Sequence, residues 1–128
     1  MDAHVILDTR IIESVWRGGP ESKWVSLIVS QDIRASVSSL SIAEAVRRIP
    51  DRRAEMQLAA LLSMVDVIDV SDEIARRAGG IARQLESDDA SLIPNAVVAA
   101  TALQTDLPVA CVDDDFFEAM GCEIASPG

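Results

Sequence analysis

At 128 residues and 49% hydrophobic, the chain is long enough for one domain with a real core, and it is neither disordered nor fibrous. A formal net charge of −10, from 11 basic and 21 acidic residues, excludes a general nucleic-acid binder built on a basic stripe. No apolar run approaches the roughly 20 residues of a membrane span, so no membrane association is expected.

Met1-Asp2-Ala3-His4 leads directly into apolar residues. No signal peptide is expected, and a cytoplasmic location follows. Cys111 and Cys122 do not make a disulfide framework, and both sit in apolar runs, so reduced thiols are expected. His4 is the single histidine and there is no CxxC pair, so zinc is not expected.

His4 to Leu7, ending in Asp8, reads as a first and central strand. Thr9 suits the cap of a short amphipathic helix carrying Ile11, Ile12, Val15 and Trp16. Gly18-Gly19-Pro20 stops that helix. Glu21 to Gln31 reads as a second helix with Trp24, Leu27 and Ile28 on one face, and Ala35 to Ser38 as a short strand. Ser41-Ile42-Ala43-Glu44 has the spacing of a capping box, opening a helix through Ile49 that Pro50 ends. Asp51 caps the next helix, to about Val65, with Met56, Leu58, Ala59, Leu61 and Leu62 on its apolar side. Val67 to Val70 reads as a strand. Ser71 then caps a helix carrying Ile74, Ala75, Ala78, Ile81, Ala82 and Leu85, which Gly79-Gly80 weakens without ending.

Glu86 to Ser91 is a polar acidic loop. Pro94 fits the first turn of the following helix, where its missing N–H costs nothing. Ala96, Ala99, Ala100 and Leu103 then recur at helical spacing and are expected against the sheet. Asp106-Leu107-Pro108 breaks this helix. Pro108 to Val112 is a short buried strand ending in Asp113, Asp114 and Asp115. Phe116 to Met120 reads as helical, and Gly121 to Ala125 as a last edge strand. Alternating strands and helices without repeats or linkers predict one α/β domain over 1–128. Its architecture is a three-layer sandwich around a mainly parallel five-stranded sheet.

Three successive aspartates repel one another unless they are solvated, protonated or neutralised by a cation. After Arg83 the chain has no Lys or Arg, yet it has nine acids. A solvated acidic turn accounts for an isolated triple Asp. The apolar strand leading into it argues for more, because ligands bind at the carboxyl ends of strands in open α/β sheets. In such a sheet the first and fourth strands are expected to be neighbours, bringing Asp8 toward Asp113 and Asp115. Glu44, whose local role would be to cap Ser41, and Asn95 reach the same edge from their helices. Oxygen ligands of this kind hold Mg²⁺ or Mn²⁺, and a metal so held can support attack of water on a phosphate.

Val5-Ile6-Leu7-Asp8-Thr9, Ser41-Ile42-Ala43-Glu44, the run from Ile93-Pro94-Asn95 to Ala102, and Cys111-Val112-Asp113-Asp114-Asp115-Phe116 together resemble a PIN domain. In particular, the chain resembles the VapC-type toxin ribonucleases of bacterial toxin–antitoxin pairs. The resemblance covers nearly the whole chain in order and spacing. It implies a metal-dependent endoribonuclease acting on RNA, commonly a homodimer, held inactive by a small antitoxin. Asp8, Glu44, Asp113 and Asp115 fall on the family's acidic positions. Asn95 stands where the family normally has Asp, and its amide oxygen is a neutral, weaker ligand. Arg10 stands where the family usually has a small polar residue. Its guanidinium either pairs with Asp8, in competition with a metal, or grips a substrate phosphate. Cys111 replaces a usual Thr.

The leading reading is therefore a Mg²⁺- or Mn²⁺-dependent ribonuclease. In it Asp8, Asp113 and Asp115 hold metal, Glu44 holds metal or orients water, and Asn95 adds a weak ligand. The alternative is a catalytically weak or inactive binding protein of the same fold, on the evidence of Asn95 and Arg10. A phospho-accepting receiver domain ranks third, since such domains want a Lys after a late strand and the only Lys here is Lys23.

Overall fold

A computed structural model of the protein describes residues 3–127. Met1 and Asp2, read above for targeting, and Gly128 at the far end of the expected domain lie outside these residues. Four strands, β1 (Ala3–Leu7), β2 (Ile33–Ser38), β3 (Asp66–Ile68) and β4 (Val109–Ala110), form one sheet in the order β3-β2-β1-β4. All three pairings are parallel. β1 is internal, as expected, with Leu7 opposite both Val37 and Ala110. Crossovers by helix produce this arrangement, because parallel neighbours cannot be joined by a tight turn.

The helices are α1 (Thr9–Arg17), α2 (Ser22–Val29), α3 (Ser39–Arg47), α4 (Arg52–Leu62), α5 (Asp72–Leu85), α6 (Leu92–Thr105) and α7 (Asp114–Ala119). Strand alternation sends successive side chains of β1 to opposite faces. Val5 and Leu7 join Ile11, Ile12, Trp24, Ile28, Val37, Leu58 and Leu61 in one core, under α1, α2 and α4. Ile6 joins Val98, Ala99, Ala102, Val109 and Phe117 in the other, under α6 and α7. The three layers follow directly from that alternation.

The expected fifth strand is reduced to one parallel bridge, Val109 to Ile124. Val109 N–H donates to the Glu123 carbonyl at 2.8 Å and Ala125 N–H to the Val109 carbonyl at 2.9 Å. β4 is only two residues long, so it offers little ladder to extend. The strand expected from Pro108 to Val112 shortens accordingly, and that expected from Val67 to Val70 shifts to β3.

Two caps differ from expectation. Asp8, not Thr9, caps α1, its side chain accepting from Ile11 N–H. Ser38, not Ser41, caps α3, accepting from Leu40 N–H at 3.2 Å. Helix α3 thus begins three residues earlier than the capping-box spacing implies, and ends at Arg47. Ser41 is fully buried in its first turn, with a hydroxyl that has no partner.

Helix α6 is also more than a sheet-facing helix. Ala99 packs on the sheet, while Ala96 and Ala100 pack against Ile74 and Ala78 of α5. Leu103 packs at the margin of the sheet-side core. A helix that is apolar all round is a buried helix, and α6 is held between the sheet and α5.

Candidate functional site

At the carboxyl edge of β1 and β4 the chain forms a cleft of about 280 Å³. It is lined by Asp8, Thr9, Arg10, Glu13, Arg17, Glu44, Arg48, Ser91, Pro94, Asn95, Val112 and Asp113. Four separate segments meet there. The end of β1 passes directly into α1, the segment between β4 and α7 delivers Val112 and Asp113, the middle of α3 delivers Glu44, and the first turn of α6 delivers Pro94 and Asn95. Of the residues singled out in the sequence, Asp8, Arg10, Glu44, Asn95 and Asp113 are brought together. Asp115 is not part of this lining; it is exposed in the first turn of α7.

Asp8 is the most constrained of them, at 3% exposure. Its Oδ1 accepts from Ile11 N–H at 2.9 Å and its Oδ2 from Val112 N–H at 3.2 Å. The carboxylate therefore ties the start of α1 to the segment after β4. Burial pushes its pKa up to about 6, against the pull of the two backbone donors and of the Arg10 charge. Arg10 lines the same cleft but makes no ion pair among the described residues. The bidentate Arg10–Asp8 pair offered as one alternative by the sequence does not form. Asp113 caps α7, accepting from Phe116 N–H at 3.2 Å. The Cys111 thiol is pushed up by burial and by its hydrogen bond to Asp114, and stays protonated.

Glu44 is held by cations of its own chain. Arg47 approaches it at 3.2 Å and Arg48 at 3.5 Å. Arg48 also donates to Glu13 at 3.1 Å, and Arg17 approaches the other Glu13 oxygen at 3.3 Å. Glu13 is nearly sealed, with its side chain 2% exposed. Sequence reasoning missed Glu13, Arg17 and Arg48 as cleft residues. Arg10, Glu13 and Arg17 lie at i, i+3 and i+7, one face of a helix, so the polar side of α1 carried the signal that its apolar side obscured. Thr9 was read as a cap; instead its hydroxyl is buried on the cleft wall without a partner.

The donors suit a hard divalent cation: two carboxylates, Asp8 and Asp113, and the Asn95 amide oxygen. Among the described residues no three acidic, histidine or cysteine side chains stand close enough to chelate one ion. Mg²⁺ retains several waters and takes only one or two carboxylates. The cleft fits an ion held in that hydrated way, and does not form a closed cage.

In a parallel α/β sheet, a cleft where two adjacent strands end is a place where ligands bind. The match to known families is specific: the chain matches the PIN domain over residues 5–121, and it belongs to that family. Members are typically nucleases that use divalent metals. Among solved structures the fold is shared with a toxin–antitoxin complex from Klebsiella pneumoniae, at 19% identity and a TM-score of 0.70, covering 97% of this chain and 98% of that one. It is shared with VapBC2 from Rickettsia felis bound to a promoter DNA fragment, at 15% identity and a TM-score of 0.70, covering 96% and 97%. It is also shared with VapC20 of Mycobacterium tuberculosis, a toxin that cleaves the sarcin–ricin loop, at 20% identity and a TM-score of 0.71, covering 96% and 99%. A search of curated proteins gives no match.

Proposed function

We propose that this PIN domain is a Mg²⁺- or Mn²⁺-dependent endoribonuclease and the toxin of a toxin–antitoxin pair. The observation that carries the reading is Asp8: a carboxyl group 3% exposed, with a pKa raised to about 6, facing a cleft shared with Asp113, Asn95 and Glu44. A buried carboxylate facing other acids is costly without a counter-charge, and a divalent cation supplies one. Asp8 and Asp113 would hold the ion, Asn95 would add a neutral oxygen, and Glu44 would ligate it or orient the attacking water. Asp115, outside the cleft lining, enters only as a more distant contributor. A bound divalent ion stabilises charge on the phosphate and lowers the pKa of water.

The chain's own part is positional. The cap contacts of Asp8 fix its carboxylate relative to both strands, and Pro94 and Val112 wall the cleft with apolar surface. Water adds to phosphorus, the bond to the 3′ oxygen breaks, and that oxygen leaves as a 3′-hydroxyl, with a 5′-phosphate on the other product. RNA incubated with Mn²⁺ should be cut by the wild type and not by Asp8→Asn. Intact RNA with the wild type across a range of Mn²⁺ concentrations would refute the proposal.

One observation favours a second reading, a weak or inactive binding protein. Glu44 is already neutralised by Arg47 and Arg48, and Asn95 brings no charge. Asn95→Asp separates the two readings, because it restores a carboxylate without touching the arginines.

The solved structures of the same fold include a toxin–antitoxin complex. On that basis we infer a small antitoxin partner for this chain, and from the family resemblance alone a homodimeric state. The carboxylates Asp8 and Asp113 in the cleft and the base-free segment after Arg83 favour an antitoxin that presents a basic or Arg-bearing segment there.

A further inference from the structure

Beside the residues of the metal reading, the cleft holds a carboxylate–guanidinium cluster that reaches Glu44 only through Arg48. There one sealed carboxylate, Glu13, is shared by two guanidiniums, Arg17 at 3.3 Å and Arg48 at 3.1 Å. A single arginine would neutralise it. Arg48 comes from the end of α3, six residues beyond Ile42, so the contact also crosses from one helix to another. The two arginines are not themselves sealed: the Arg17 side chain is 58% exposed and that of Arg48 is 32% exposed. In a chain of net charge −10, Arg10, Arg17 and Arg48 all line this one cleft. Guanidinium carries five N–H donors in a fixed fork. The Glu13 and Glu44 contacts engage one terminal nitrogen each of Arg48, and Arg17 gives one to Glu13. Donors remain on both side chains, which are held by Glu13 and line the cleft.

We infer that Arg17 and Arg48, held by Glu13, form a phosphate-binding subsite for the backbone of a single-stranded nucleic acid, beside the scissile position set by Asp8. This rests on the nuclease reading and names which residues track the substrate. Arginine forks match phosphate oxygens in pairs, and Glu13 removes the entropy cost of ordering them. Arg10 continues the row along α1 toward Asp8, spanning about 10 Å from Arg10 to Arg17 at the rise of an α-helix. Glu13 is a positioning residue: it is screened from solvent and acts through the arginines.

The test measures binding of a short fluorescein-labelled oligouridylate to the full chain, by anisotropy across a salt series, in Ca²⁺ to hold cleavage back. Arg17→Gln and Arg48→Gln should each weaken binding about tenfold. Each should also reduce the slope of log K against log salt by roughly 0.7, the value for one phosphate contact on a single strand. Glu13→Gln raises the net charge by one unit. Plain electrostatic attraction then requires tighter binding, whereas the subsite requires looser binding because the arginines lose their anchor. Thermal melting of each variant identifies loss of fold, and Arg17→Gln, at an exposed side chain, keeps the test open if Arg48→Gln unfolds. Wild-type binding with unchanged slopes in the variants, or tighter binding by Glu13→Gln, overturns the subsite and leaves the nuclease reading intact. No binding by the wild type removes both.

Discussion

Asp8 does two jobs that pull in opposite directions. As the cap of α1 and acceptor from Val112 N–H it binds parts of the fold together, yet as a sealed carboxylate it resists ionising. The folded pKa, about 6, lies above the ordinary value of 3.8. Between those values the folded state holds the proton that the unfolded state has lost, so stability falls as pH rises through that window and stays lower above it. The full shift corresponds to about 3 kcal/mol at most. Asp8→Asn removes the ionisation cost but gives up one of two acceptors. Urea unfolding without metal should therefore show Asp8→Asn gaining about 1–3 kcal/mol on the wild type between pH 4 and pH 7.5. A difference that does not change with pH would mean that Asp8 ionises freely. The same residue scale holds Asn95. Asn95→Asp adds a charge at the cleft wall, where about 4 Å at an effective dielectric near 20 amounts to roughly 4 kcal/mol before solvent reduces it. Calorimetric titration should show Mn²⁺ binding tightened about tenfold or more, with any RNA cleavage rising in step. Unchanged affinity would place Asn95 outside the ion's reach.

Helix α3 is the element on which the site turns, since it carries Glu44 and leads into Arg48. Its start is fixed by Ser38, fully buried and accepting from Leu40 N–H, while Ser41 hides an unpartnered hydroxyl. Ser38→Ala should cost about 1 kcal/mol, the usual loss of a helix cap. Ser41→Ala should be near neutral or stabilising, because it removes a buried hydroxyl that makes no bond. Chemical denaturation of the two variants distinguishes this from the capping box, for which the order of effects would be reversed. On the opposite face, Phe117 is fully buried among Ile6, Val98 and Val109 and stacks edge-on with Phe116 at 5.0 Å between centroids. Phe117→Ala should cost about 3–5 kcal/mol by opening a cavity, and it should unseat the Asp113 cap that α7 begins with. Retained stability would show that α7 is an ornament on the sheet.

At the scale of the whole molecule, charge and fold together shape partnership. A net charge of −10 repels nucleic acid at long range, and the cleft mixes four carboxylates, Asp8, Glu13, Glu44 and Asp113, with three guanidiniums, Arg10, Arg17 and Arg48. Among the described residues no helix is long and apolar enough to cross a membrane. Purification from its native host should yield a dimer with a small Arg-bearing partner, and release of that partner should raise RNA cleavage. A monomer in light scattering with no copurifying protein would count against the proposed pairing.

The sequence by itself determined the parallel α/β order and the central place of β1. It also put Asp8, Glu44, Asn95, Asp113 and Asp115 at one edge, because alternation of apolar runs and the ends of strands are local properties of the chain, and the structure leaves only Asp115 outside the cleft lining. The family motifs were legible for the same reason. Only the tertiary structure decided which serine caps α3, since Ser38 and Ser41 offer equal chemistry and the end of β2 selects between them. It decided that Ala96 and Ala100 face α5, because helical spacing gives a face without saying what covers it. It left one bridge where a fifth strand was expected, as strand pairing needs a partner edge long enough to receive it. The Glu13–Arg48 contact spans 35 positions in sequence and joins two helices. No local pattern encodes such a pair; it exists because burial on both sides of the sheet fixes where α1 and α3 stand.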